Sequence, residues 1–277
     1  MFPIEAVALD LDGTLIGSDE KIPSSVRNSV KALAVSIPVF ICTGRERWST
    51  EKFAKELALT SLQISDNGAV ISDPMSGWKP VWSASIRREA SSLLLEELGR
   101  RGVAFFGNNA DHIFRDILLA EGHDLSIVSA LDMTSDLADD LMSHFSDSPF
   151  ASDFQMNKSF LPYNGMWAVD FTPFGVDKGS GLKRVSKRLN ICAKKMAAVG
   201  DSFNDIPMLS SLIYSMMSSV MSSLMASLMS SMMSSMMSSM MYSMMSSLMS
   251  SMMSSMMSSM LSSMMSSMIS SLMSSMM

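Results

Sequence analysis

The stretch DLDGTL, Asp10 to Leu15, places two carboxylates one residue apart at the end of the apolar run AVAL, just before a glycine turn. Residues two apart on a strand point to the same side, so Asp10 and Asp12 repel each other unless a cation or a shared proton relieves them. Three further pieces carry polar groups of the same kind: TGR at 43–45, DKG at 177–179 and GDSFNDIPML at 200–209. Singly, each has an ordinary reading, as a capped turn, a meaningless tripeptide or a solvated lysine. Together, in one chain, they are far harder to reach by chance.

Loops of this sort need strands to hold them. Residues 1–83 alternate between the strand-like runs AVALDL, IPVFIC and LQIS and the helical patterns PSSVRNSVKALAVS and STEKFAKELAL. The strands are continuously apolar, as in a parallel sheet covered on both faces. Each runs into a polar loop, DLDGT, TGR or DNGA, and ligands of doubly wound sheets bind beyond the carboxyl ends of the strands. One shared site is the expectation. From 84 to 172 the texture changes to a helix over RREASSLLLEELGRR, short strands near VAFFG and HIFRD, a helix near SDLADDLMSHF and strands near KSFL and MWAVDF. That mixture reads as an inserted α+β module. The alternation resumes over 173–209 with the helix DKGSGLKRVSKRLNI, the strand MAAVG and the loop DSFND.

Lys178 falls at the expected N-terminus of that helix, where the macrodipole disfavours a cation by a few tenths of a kcal/mol to ~1 kcal/mol. A nearby anion reverses the penalty, and helix N-termini are ready sites for phosphate.

In order and content the four pieces resemble the haloacid dehalogenase superfamily, more narrowly the Cof-type sugar-phosphate phosphatases, over residues 1 to about 209. The resemblance implies an α/β fold: a Rossmann-like, doubly wound parallel sheet formed by 1–83 and 173–209, with 84–172 as an inserted α+β cap. It implies a Mg2+-dependent phosphoric monoester hydrolase acting on a small phosphorylated metabolite. Asp10 would be the nucleophile that forms an aspartyl-phosphate, since a carboxylate is already ionised at neutral pH. Asp12 would protonate the leaving alkoxide and then deprotonate the attacking water. Thr43, Gly44, Lys178 and Asn204 would bind the phosphate. Mg2+ would be held by Asp10, the backbone carbonyl of Asp12, Asp201 and Asp205, hard oxygen ligands of the type this ion prefers. Arg45 and Asn67 lie in the same loop layer and are candidate substrate contacts, with a surface salt bridge and a turn residue as the competing reading. A phosphomutase, returning the phosphoryl group to a sugar, is the alternative chemistry.

Composition narrows the partners. The 21 Lys+Arg against 27 Asp+Glu give a net charge of −6, which argues against a nucleic-acid partner. Two cysteines, Cys42 and Cys192, form neither a disulfide framework nor a metal knuckle, and His112, His123 and His144 lack ligand spacing. The N-terminus has no basic start followed by a long apolar stretch, so a cytoplasmic protein without a membrane partner is expected. Residues 210–277 differ from everything before them. They carry no charge, hold 25 of the 33 methionines and approach an SSMM repeat. In a helix a period of four drifts by about 40° per repeat, so the methionine stripe winds around the rod and faces no single core. The expectation is a low-complexity segment with no packed domain of its own. It replaces the further strand and closing helix that the resemblance implies, so a catalytically silent chain that self-associates through the tail is the rival reading.

Overall fold

The computed structural model describes residues 4–161 and 164–216. The first part of the chain forms β1 (Ala6–Leu9), α1 (Ser24–Ser36), β2 (Val39–Ile41), α2 (Arg47–Glu56), β3 (Gln63–Ser65), β4 (Val70–Asp73) and β5 (Lys79–Ser83). Next come α3 (Arg88–Arg101), β6 (Phe105–Asn108), β7 (Ile113–Phe114), α4 (Ile117–Ala120), β8 (Ile127–Met133), α5 (Ser135–Ser146), β9 (Phe154–Leu161) and β10 (Met166–Pro173). The last described elements are α6 (Lys178–Leu189), β11 (Met196–Val199) and α7 (Ile206–Met216).

The fold is α/β: a Rossmann-like core with an inserted α+β cap. Strands β11, β1 and β2 lie parallel in that order, Val7 standing opposite Ala197 on one side and Val39 on the other. Alternation along β1 feeds two cores at once. Val7 and Leu9 pack with Val26 and Val30 of α1 and with Phe53 and Ala54 of α2. Ala6 and Ala8 face the opposite way, toward Leu182 and Val185 of α6 and Met208 of α7. With both faces covered, every position of the strand must be apolar, which is why no polar residue breaks AVAL.

A single parallel bridge between Cys42 and Ile64 carries the sheet on to β3. There the chain reverses, and β3–β4–β5 run antiparallel. The reversal is built by three consecutive residues with positive φ, Asp66 (51°), Asn67 (50°) and Gly68 (98°), residue types that tolerate left-handed backbone. In the cap, five antiparallel strands are ordered β7–β6–β8–β10–β9. Leu94 and Leu98 of α3 and Leu141 and Phe145 of α5 bury against Phe105, Val128, Val169 and Phe171 of that sheet.

Several elements differ from the sequence expectation. The first strand ends at Leu9, so Asp10 and Asp12 lie in the loop beyond it and no pleat fixes them to one side. Strand β8, at the centre of the cap sheet, and the β4–β5 hairpin were not anticipated. Strand β9 starts at Phe154, four residues before KSFL. Helix α7 continues to Met216, so the first residues of the Ser/Met segment extend a helix that packs on α6 and β11. Residues 217–277 are outside the described residues, as are the expectations about their packing and self-association. Among the described residues no helix is long and apolar enough to cross a membrane.

Candidate active site

Helix α6 starts where it does because Asp177 and Ser180 close a capping box. The Ser180 N–H donates to Asp177 Oδ1 (2.7 Å), and the Asp177 N–H donates to Ser180 Oγ (3.0 Å). Lys178 is thereby seated in the first turn, and its side chain runs inward, 1% exposed. Its Nζ donates to Asp10 Oδ1 (2.6 Å), to Asp205 Oδ1 (2.7 Å) and to Asn204 Oδ1 (3.3 Å). Asp10 is the first residue past β1, tied by its N–H to the Val199 carbonyl of β11 (2.9 Å). Asp205 closes a 3-10 turn over Phe203–Asp205, where its Oδ2 accepts from the Ser202 N–H (3.0 Å).

Asp201 completes the group. One carboxylate oxygen from each of Asp10, Asp201 and Asp205 lies within 4.8 Å of the others. The Thr14 hydroxyl donates to Asp201 Oδ1 (3.3 Å), and Gly13 lets the first loop come this close. At its φ of 78°, an added Cβ would lie 2.1 Å from Asp201 Oδ2.

Three carboxylates around one ammonium leave a formal excess of two negative charges. Burial pushes the Asp10 carboxyl up to about 7 against the pull of Lys178, and the neighbouring Asp205 adds to the rise. Burial also works against the Lys178 charge, but Asp10 and Asp205 outweigh it and its pKa is raised. Asp201 is raised by burial and by Asp205. Two carboxylates thus compete for one ammonium while a third stands beside them. Hard oxygen donors lacking two positive charges fit a divalent cation such as Mg2+.

The remaining candidates divide into two groups. Thr43 is buried at the end of β2, where its hydroxyl accepts from the Arg45 N–H (3.1 Å) and its carbonyl from the Asn67 N–H (3.0 Å). Gly44 lies against the Asn67 amide, and Asn67 Oδ1 accepts from Asn204 Nδ2 (3.1 Å), linking this loop to Lys178. Asp12 and Arg45 form the other group. The guanidinium grips Asp12 through Nε (2.8 Å) and Nη2 (2.7 Å) and also reaches Glu20 (2.9 Å). The expected Asp10–Asp12 repulsion is therefore relieved by separation: Asp10 is buried against Lys178, while Asp12 is exposed and turned toward Arg45. The Asp12 side chain is not one of the three clustered carboxylates.

Two carboxylates that sequence reasoning missed join the core to the cap. Asp170 of β10 accepts from Ser129 Oγ (2.5 Å) and from Asn67 Nδ2 (2.7 Å). Asp66, wholly buried, accepts from Asn108 Nδ2 at both oxygens (2.9 and 2.7 Å) and from Ser126 Oγ (2.7 Å). A charge inside the apolar run MWAVDF is the available signal for Asp170, and the DNGA loop that holds Asp66 is expected at the shared site, where Asp66 instead turns to Asn108 and Ser126 of the cap.

Comparison with known proteins places this geometry among others. The family described as haloacid dehalogenase-like hydrolase matches residues 7–223. A phosphoglycolate phosphatase of Methanothrix thermoacetophila is 30% identical, the match covering 74% of this chain and 79% of the relative. The 5-amino-6-(5-phospho-D-ribitylamino)uracil phosphatase YcsE of Bacillus subtilis is 23% identical, with 74% and 80% covered. A haloacid dehalogenase-like hydrolase from Bacteroides thetaiotaomicron shares the fold, with a TM-score of 0.64 at 18% identity over 75% of this chain and 85% of its own.

Proposed function

The chain belongs to the haloacid dehalogenase-like hydrolase family and is a phosphoric monoester hydrolase, and from that premise we propose a Mg2+-assisted hydrolysis of a small phosphorylated metabolite through a phosphoryl group carried on Asp10. The observation that carries the reading is Lys178 Nζ held between Asp10 and Asp205, with Asp201 alongside, where loops from both halves of the core meet. Both named relatives act on small organic phosphates, which supports the class of substrate.

In this reading Asp10 attacks phosphorus with a carboxylate oxygen as the ester P–O bond breaks. Lys178 sets its charge against the phosphoryl oxygens and keeps Asp10 oriented. Thr43 and the Gly44 amide hold another phosphoryl oxygen, and Asn204 orients the group. Asp12, on leaving its ion pair with Arg45, takes up a proton from solvent and passes it to the leaving alkoxide; it then takes a proton from the water that cleaves the aspartyl-phosphate and returns Asp10 as a carboxylate. Asp10, Asp201, Asp205 and the Asp12 carbonyl would hold Mg2+, which when bound supplies positive charge to the phosphoryl oxygens. Arg45, released from Asp12, and Asn67 are placed to meet the substrate.

The test is phosphate release from p-nitrophenyl phosphate by the purified chain with Mg2+. Asp10→Asn should abolish it, and equal turnover by that variant would overturn the assignment.

A further inference from the structure

Strand β10 carries one charge, Asp170, among the buried residues Ala168, Val169, Phe171 and Thr172. Asp170 is itself half-buried, and burial pushes its pKa up even with two donors attached and Lys178 nearby. Ser129, directly opposite on β8, supplies one donor. The other is the Nδ2 of Asn67, which lies on the core and opens a path leading away from the cap.

The path has a single direction. Lys178 Nζ donates to Asn204 Oδ1 (3.3 Å), Asn204 Nδ2 to Asn67 Oδ1 (3.1 Å), and Asn67 Nδ2 to Asp170 Oδ2 (2.7 Å). An ammonium can only donate and a carboxylate can only accept, whereas each amide does one on either side. The two charged ends therefore fix which way both amides face, and links in such a chain polarise one another. With Asp170 as acceptor, Asn204 must turn its oxygen to Lys178. Lys178 dictates the same orientation from its own end; what Asp170 adds is the acceptor that anchors the Asn67 NH2, without which nothing on the cap side holds the two amides in place.

We propose that Asp170 is a positioning residue through which the cap orients Asn67 and Asn204 and so holds Lys178 in line with Asp10 and Asp205. This inference rests on the phosphatase reading of the site. It assigns the cap a part in setting the phosphate site, separate from any contact with the rest of the substrate.

The test uses the full chain and two readouts. In the unmodified protein, the side-chain NH2 signals of Asn67 and Asn204 should exchange slowly with solvent and show a nuclear Overhauser contact from one amide to the other; fast exchange at Asn204 would overturn the relay without any variant. In Asp170→Asn, which keeps size and removes the obligate acceptor, the Asn204 signals should move although Asn204 does not touch residue 170. The amide of Asn190, at the far end of α6, should stay in place as a check on the fold. With p-nitrophenyl phosphate and Mg2+, kcat should fall about tenfold with KM little changed, the lower end of the effect of removing an outer partner, because Asp170 reaches Lys178 only through two amides. Unmoved Asn204 signals together with an unchanged kcat would overturn the proposal. If the unmodified chain released no phosphate, the phosphatase reading would fall, while the amide signals would still decide the relay.

Discussion

The buried Asp66 makes stability depend on pH in the opposite sense to an ordinary salt-bridged carboxylate. Burial lifts its pKa from 3.8 to about 7, despite hydrogen bonds from Ser126 and Asn108; the Glu46 charge adds to the rise and Arg47 opposes it. Because the folded value lies above the unfolded one, the folded state binds the extra proton between these limits, and stability falls as pH rises through the window. The full span corresponds to about 4 kcal/mol, of which roughly 2–3 kcal/mol is lost between pH 5 and pH 8. Asp66→Asn should remove that slope. Its oxygen can accept from Asn108, and its NH2 can donate to Ser126 Oγ, which is already within 2.8 Å of the Asn108 carbonyl and can donate there. The variant should be more stable than the parent at pH 8, with the gap shrinking by roughly 2–3 kcal/mol at pH 5. Urea unfolding of both proteins at the two pH values measures this difference of differences, in which other titrating groups cancel. A gap that does not change with pH would refute the reasoning.

Two other perturbations follow from the same geometry. A Cβ at residue 68, where φ is 98°, would lie 2.1 Å from the Asp177 carbonyl, so Gly68→Ala should cost about 2–4 kcal/mol; a melting temperature within about a degree of the parent would contradict it. At a hundredfold excess over its Kd, Mg2+ should stabilise the folded chain by about 2.7 kcal/mol through preferential binding and so raise the melting temperature. Asp201→Asn should weaken that response, and a parent melting curve identical in EDTA and in saturating Mg2+ would remove the cation from the site.

The parts of this molecule legible in its sequence are those whose cause is local. AVAL reads as a strand because both of its faces are buried, and Lys178 stands out because a cation at a helix start needs an anion to account for it. Asp12 misled because the pleat argument assumes a strand continuing past Leu9, whereas the chain leaves the sheet there and lets Arg45 take the second carboxylate. Strand β8 was hidden because Ser129 and Asp132 break its apolar run, and Ser129 is in the strand to serve Asp170. The β3–β4 hairpin is announced by Asn67–Gly68, a strong short-range turn signal, and the structure makes Asn67 both the turn residue and a member of the polar chain at the site. The partners of Asp66 and Asp170 are hidden for another reason. Each finds its partners 41 to 103 residues away, and no pattern in either neighbourhood encodes that distance.

The strand order β11–β1–β2 also has a consequence for how the protein is made. At translation rates of about 5–20 residues per second, β1 emerges early and waits for the neighbour that completes its other edge, the whole cap being synthesised in between. Asp10 leaves the ribosome 168 residues ahead of the lysine that neutralises it. The nascent chain can thus close its cap well before the cluster of Asp10, Asp205 and Lys178 exists, and a chain that ends short of Lys178 lacks the counter-ion of its buried Asp10.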